Sequence, residues 1–240
     1  MIEELTAISK ELMYPFGKRL LRCKWVFDYK LDIEKGCLLK FKARLVAIGQ
    51  QQEEYGVDYK ETFAPVIRKE TLRMMIALSE IMDWHIAQMD VSVAFLYGDL
   101  TERNYMYCPE GFPQFDENGE SLVCEIYRSL YGLHQSAREW NNVLTKYLVE
   151  NGFIQSVKDN CLFHKFDKER KVFIMVYVDD LLFLSSSKEL IEQLKKLMKN
   201  QFEVKDLGEA KHIIGIQYEK IKNVSFKGSW IGQQNTQEIF

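Results

Sequence analysis

What the sequence lacks narrows the field before any motif is read. No apolar run reaches the roughly 20 residues that a membrane span needs, so no membrane protein is expected. The opening MIEELTAISKEL is acidic and has no apolar core of the kind a secretory leader carries, so the expectation is a soluble, intracellular chain. The cysteines Cys23, Cys37, Cys108, Cys124 and Cys161 are odd in number, widely scattered and without a C-x-x-C pair. That argues against a disulfide framework or a zinc site and for reduced, mostly buried thiols. No internal repeat and no low-complexity tract is found. Overall basicity is missing as well: the formal net charge is −3, so any grip on nucleic acid must come from a local patch.

What is present suits a large core. With 47% hydrophobic and 28% charged residues over 240 positions, the chain reads as one globular domain, or one domain with subdomains. Charge is uneven. From Lys10 to Arg44 there are ten Lys/Arg against four Asp/Glu, a local +6, and the remainder is acidic. The same section, RCKWVFDYKLDIEKGCLLKFKARLVAIGQ, has two strand-like runs around a turn at Glu34-Lys35-Gly36 and predicts a β-hairpin. Lys40, Lys42 and Arg44 fall at alternate positions, so their side chains leave one face. An ordinary solvated strand face would look the same.

After a turn-rich loop, KETLRMMIALSEIM predicts a helix with Leu72, Met75, Ile76 and Leu78 inward. HIAQMDVSVAFLYGDL starts as a strand and turns at Tyr97-Gly98-Asp99, and CPEGFPQFDENGES reads as a loop. A helix follows Ser136, with a Ser136/Glu139 capping-box pattern, the stripe Trp140, Val143, Leu144, Tyr147 and Leu148, and an end at Asn151-Gly152. CLFHKF, KVFIMVYV and LLFLSS read as strands. A last helix is expected from Ser186, paired with Glu189, with Ile191, Leu194, Leu197 and Met198 as its face. The order of elements suggests an α+β fold with an antiparallel sheet.

One feature of the apolar runs needs a chemical reason. In VFIMVYVDDLLFLSSSKEL, Asp179 and Asp180 stand side by side between two nearly wholly apolar stretches. Buried carboxylates are costly unless paired, protonated or bound to a cation. A hairpin with Asp-Asp at its tip would hold them at a sheet's rim, and Asp90, at the end of HIAQMDV, would join them if the strands were neighbours. Three such acids repel one another unless cations lie among them, and hard oxygen ligands suit Mg²⁺. An acidic turn plus an unrelated strand-end Asp would read the same way, and spacing alone leaves both open.

The ordered blocks KWVF, KARLVA, DYKETFAPV, MDVSVAFLYGDL, LYGLHQSAREW and YVDDLLF resemble the reverse transcriptases of copia-type long-terminal-repeat retrotransposons, from about Glu3 to Tyr218. The resemblance implies a right-hand fingers–palm arrangement. Residues 1–85 would form a fingers-like basic hairpin and helix, and 86–222 the palm, with a fingers-type insertion near 100–134. Residues 223–240 would be a divergent tail. It implies RNA-directed DNA polymerase activity with two Mg²⁺ ions, Mn²⁺ as a substitute, deoxynucleoside triphosphates, and a primer on an RNA or DNA template. Asp90, Asp179 and Asp180 would be the catalytic metal carboxylates, with the carbonyl of Val91 a further ligand. Lys42 and Arg44 would meet the triphosphate, Gln135 would lie near the sugar, and Phe95 would lie under the ribose. By spacing alone Phe95 reads equally well as a core residue, and His85 and His134 as plain surface or core residues.

The sequence also departs from that family at Ile48, Gln50, Ser92 and Ala137, where a basic residue, an aromatic, a basic residue and a proline are usual. The start is expected to be shortened between Ile8 and Pro15, and a thumb to be largely absent beyond Lys222. The chain would then be a Pol polyprotein segment acting in the cytoplasm or a virus-like particle. The alternatives are a decayed, non-catalytic relic that binds nucleic acid or a partner, and another palm-type nucleotidyl transferase or cyclase.

Overall fold

The computed structural model describes residues 4–11, 19–32, 37–52, 55–112, 115–167, 170–210, 212–213 and 216–217. The expected turn at 34–36 and the tail 223–240 lie outside them. In chain order the strands are β1 (Ile8–Glu11), β2 (Leu20–Leu21), β3 (Cys23–Asp32) and β4 (Cys37–Ala47), followed by helix α1 (Lys69–Ile81). Then come β5 (His85–Val91), β6 (Asp99–Tyr107), β7 (Val123–Arg128) and helix α2 (Ser136–Glu150). The last group is β8 (Ile154–Gln155), β9 (Leu162–Asp167), β10 (Arg170–Tyr177), β11 (Asp180–Ser185), helix α3 (Lys188–Gln201) and β12 (Val204–Glu209). These belong to one compact unit ending at Ala210. A second unit begins at Lys211, and in it β13 (His212–Ile213) pairs with β14 (Ile216–Gln217).

The apolar runs around Asp179 and Asp180 become the middle of a six-stranded antiparallel sheet in the order β12-β5-β11-β10-β9-β8. Leu181, Leu182, Phe183 and Leu184 are all buried, so β11 is covered on both faces, as its unbroken apolar sequence requires. Helix α3 packs on β11 and β5 through Ile191, Leu194 and Met198. Helix α2 turns Trp140, Leu144 and Leu148 inward, and Phe202 meets Tyr97, Trp140 and Tyr147 edge-to-face in an aromatic cluster. In α1 the buried residues are Leu72 and Met75, as expected, with Ser79; Ile76 and Leu78 are only partly buried.

A second sheet, β1-β7-β6-β2, gathers Leu21, Leu45, Met106, Ile126, Leu130 and Leu133 into another core. The β3–β4 hairpin is a separate two-stranded ladder, as predicted. Among its described residues Leu45 and Ala47, at its base, are buried in that core, with Cys23 and Trp25 packed against it. Chain entry is fixed by close backbone contact: Ala47 donates its N–H to the Tyr131 carbonyl at 2.9 Å, and Gly132, at φ +93°, leaves room for it. A Cβ on Gly132 would stand 2.0 Å from the Ala47 carbonyl oxygen. No helix among the described residues is long and apolar enough to cross a membrane.

Both capping boxes are corrected by the structure. Ser136 is the first helical residue rather than the cap, and its hydroxyl donates to the Leu130 carbonyl at 2.5 Å. The cap of α3 is Ser187, one residue later than expected, accepting from the Leu190 N–H and donating to Glu189.

Candidate active site

Strand register brings the predicted carboxylates together. Asp180, the first residue of β11, stands directly opposite Asp90 on β5, and directly opposed residues project from the same face. Tyr177 pairs with Asp180, so Val178 and Asp179 are the two central residues of a tight hairpin turn. Val178 has φ +55°, a region costly for a β-branched residue but one that suits the twist of a two-residue hairpin. The turn is held from two sides. Trp140 donates its indole N–H to the Val178 carbonyl at 2.7 Å, and Val91 donates its backbone N–H to the Asp179 carbonyl at 2.9 Å. The second bond ties the tip to the strand end that carries Asp90.

Electrostatics follow from this crowding. Burial raises the Asp179 carboxyl above the ordinary range, with Asp180 and Asp90 adding to the rise; its own backbone N–H and the Arg44 guanidinium oppose it. Burial also raises Asp180, with Asp90 again contributing, while the Gln88 side chain donates to its Oδ1 at 3.0 Å and pulls the other way. Among the described residues no three His, Cys, Asp or Glu side chains are closed up to metal-ligand spacing. The donor set nevertheless fits hard divalent cations: its oxygens face each other across adjacent strands and repel in a half-buried place, a cost that positive charge would remove.

Two neighbours of these acids escaped the sequence reading. Gln88 is a buried polar residue two positions before Asp90 in an otherwise apolar strand, and that two-residue spacing was the available signal. Lys205 on β12 stands opposite Asp90 from the other side, so one row across three strands reads Lys205, Asp90, Asp180.

The other expected residues are placed as follows. Lys42 and Arg44 lie on one face of β4, opposite Asp28 and Val26, and both are half-buried. The Arg44 guanidinium lies 5.6 Å from the centre of the Tyr131 ring. Phe95, on a single helical turn at Ala94–Tyr97, is half-buried with its ring 4.7 Å from that of Tyr131. Val91 is buried beside Asp90. Gln135 is 1% exposed, and its side chain is engaged in a polar network. Gln52 donates to Gln135 Oε1 at 3.1 Å, Gln135 Nε2 donates to the Asp58 carbonyl at 3.3 Å, and Gln52 Oε1 accepts the His134 N–H at 3.0 Å. Behind the hairpin tip, Pro65, Val66, Ala137, Trp140, Val176 and Val178 line a cavity of about 250 Å³.

Comparison with known proteins gives the family. The family described as reverse transcriptase (RNA-dependent DNA polymerase) matches residues 9–228. The retrovirus-related Pol polyprotein from transposon TNT 1-94 of Nicotiana tabacum is 35% identical over 241 residues, covering 98% of this chain and 18% of that polyprotein. The retrovirus-related Pol polyprotein from transposon RE1 of Arabidopsis thaliana is 37% identical over 207 residues, 86% of this chain and 14% of the relative. The Transposon Ty1-ER2 Gag-Pol polyprotein of Saccharomyces cerevisiae is 28% identical over 231 residues, 91% of this chain and 12% of the relative. This chain therefore spans under one fifth of the length of each of these relatives. The resemblance to the copia-type Pol reverse transcriptases holds, and the chain belongs to the reverse transcriptase (RNA-dependent DNA polymerase) family.

Proposed function

We propose that this chain is the polymerase core of a copia-type element: it joins a deoxynucleoside triphosphate to the 3′ hydroxyl of a primer on an RNA or DNA template. The observation that carries this reading is the pairing of Asp90 with Asp180 across adjacent strands, with Asp179 on the tip that Val91 secures. Asp90, Asp179, Asp180 and the Val91 carbonyl would hold two Mg²⁺ ions, or Mn²⁺ in their place. Such ions lower the pKa of an attacking hydroxyl and neutralise the leaving oxygens.

The side chains of this chain do the rest. Lys42 and Arg44 bind the triphosphate from their shared face of β4; the pull of Arg44 on Asp179 supports its standing on the carboxylate side. Phe95 lies against the sugar and excludes a 2′ hydroxyl by size. Gln135, tied by Gln52 to the Asp58 loop, fixes the segment that leads into α2 and so the floor beneath the sugar. In this reading residues 1–85 are fingers, 86–222 palm with an insertion near 100–134, and 223–240 a tail. The test is primer extension on poly(rA)·oligo(dT) by the purified chain at low salt. Incorporation of dTMP that needs Mg²⁺ or Mn²⁺ and is abolished by Asp179→Asn is expected. No incorporation with either ion, or incorporation that Asp179→Asn leaves untouched, overturns the proposal.

A further inference from the structure

Tyr131 has no part in the roles assigned above, yet it touches two of the residues that carry them. Its backbone belongs to the junction at the base of the hairpin, where it forms a parallel bridge with Val46 and accepts the Ala47 N–H. The backbone that carries the ring is held at this junction, where Gly132 beside it comes close to the Ala47 carbonyl. Phe95 packs on one part of this half-buried ring at 4.7 Å between centroids, with the planes inclined at 56°. The Arg44 guanidinium lies over it at 5.6 Å from the ring centre. Burial raises the phenol pKa and the Asp179 carboxylate adds to the rise, so the hydroxyl end lies within electrostatic reach of the acids.

A size filter works only if the filtering side chain cannot retreat. Phe95 is carried by a helical turn of four residues that starts after Val93, at φ +47°, which is thin support for an aromatic ring. Tyr131 supplies the missing wall, anchored to a different element. Its contact with Arg44 adds a link: the side chain that would bind the triphosphate and the side chain that would meet the sugar share one aromatic neighbour.

We propose that Tyr131 is a specificity-determining residue, which fixes Phe95 against the sugar of an incoming nucleotide and couples that position to Arg44. This rests on the nucleotide-site reading given above. The experiment compares Tyr131→Phe, Tyr131→Leu, Phe95→Val and the Tyr131→Leu/Phe95→Val pair, all in the full chain. Two quantities are measured: the ratio of kcat/KM for dTTP to that for UTP in single-nucleotide extension, and the affinities of the two nucleotides by calorimetry. Tyr131→Leu should lower discrimination roughly three- to tenfold, mainly through a lower KM for UTP, because an aromatic wall contributes on that scale. Tyr131→Phe, which keeps the ring, should keep discrimination. The pair should lose no more than Phe95→Val alone.

If Phe95→Val shifts the ratio while a folded Tyr131→Leu leaves it unchanged, or if the two losses add in full, the inference about Tyr131 is wrong and the nucleotide site stands. If neither nucleotide is bound or incorporated by the unaltered chain, both readings fall together. Should Tyr131→Leu not fold, Tyr131→His replaces it: a smaller ring must widen acceptance of UTP, and unchanged discrimination rejects the proposal.

Discussion

The six-stranded sheet and the β3–β4 hairpin both carry large apolar side chains, but the centre of the sheet hides them and the hairpin does not. Every residue of β11 after Asp180 is buried, whereas on the hairpin Phe27, Tyr29 and Phe41 are 73%, 60% and 75% exposed. The difference lies in what covers each element. The sheet has strands on both sides of β11 and helices packed against it, so its rim is a fixed platform for three carboxylates. Among its described residues the hairpin is buried at its base, while further out one face carries the exposed aromatic side chains and the other has half-buried Lys42 and Arg44 at its inner end. One region fixes charge in place; the other presents surface.

The largest expected effect breaks the fixed platform chemically. Asp90→Asn or Asp179→Asn should lower any nucleotide incorporation by on the order of 10³-fold or more, since each removes a ligand charge worth several kcal/mol in the transition state. The same change should stabilise the fold when no divalent ion is present. The Asp179 and Asp180 carboxyls are raised above the ordinary 3.8, so between 3.8 and their raised values the folded chain binds more protons than the unfolded one. Stability is therefore lost as pH rises through that window and gained as pH falls. Thermal unfolding in EDTA across that range should show a higher Tm for Asp179→Asn at neutral pH, with the difference shrinking in acid.

Next in size is the joint between the two regions. Gly132→Ala places a Cβ 2.0 Å from the Ala47 carbonyl at φ +93°; the backbone strain alone should cost about 1–3 kcal/mol, and the clash adds to it. That corresponds to a Tm lower by roughly 2–4 °C for each kcal/mol, read by calorimetry. Trp140→Phe is milder. It keeps a buried ring but removes the N–H bonded to Val178, costing about 1 kcal/mol, and it should reduce incorporation more than stability because the tip loses one of its two ties.

The smallest effect is expected on the hairpin's exposed face. Phe27→Thr and Phe41→Thr should change stability by no more than about 0.5 kcal/mol, because those rings are largely exposed. A loss above about 1 kcal/mol in urea unfolding would mean that the face is covered in solution and would erase the contrast with the sheet.

Both regions were readable from the sequence in part. Unbroken apolar runs announced buried strands, so the convergence of Asp90 with Asp180 was a conditional expectation that needed only the register to be met. The alternation of Lys40, Lys42 and Arg44 was equally plain, since a strand has a period of two. Tyr131 was not legible, because its contacts join three elements distant in sequence and no local pattern records them. The capping boxes misled for a local reason. A serine followed three residues later by glutamate is only a candidate cap, and at Ser136 the hydroxyl found the Leu130 carbonyl instead. At Ser186 a run of three serines blurred the start by one position. Lys205 gave no warning, since its place opposite Asp90 depends on the pairing of β12 with β5, which no local pattern records.

The central claim is that Asp90, Asp179 and Asp180 form a divalent-cation site. Electron paramagnetic resonance of Mn²⁺ titrated into the nucleotide-free chain tests it without any dependence on turnover. Saturable binding that Mg²⁺ displaces, and that Asp179→Asn and Asp90→Asn each weaken at least tenfold in folded protein, is the predicted result. Mn²⁺ binding of equal strength in the unaltered chain and in both variants would contradict it.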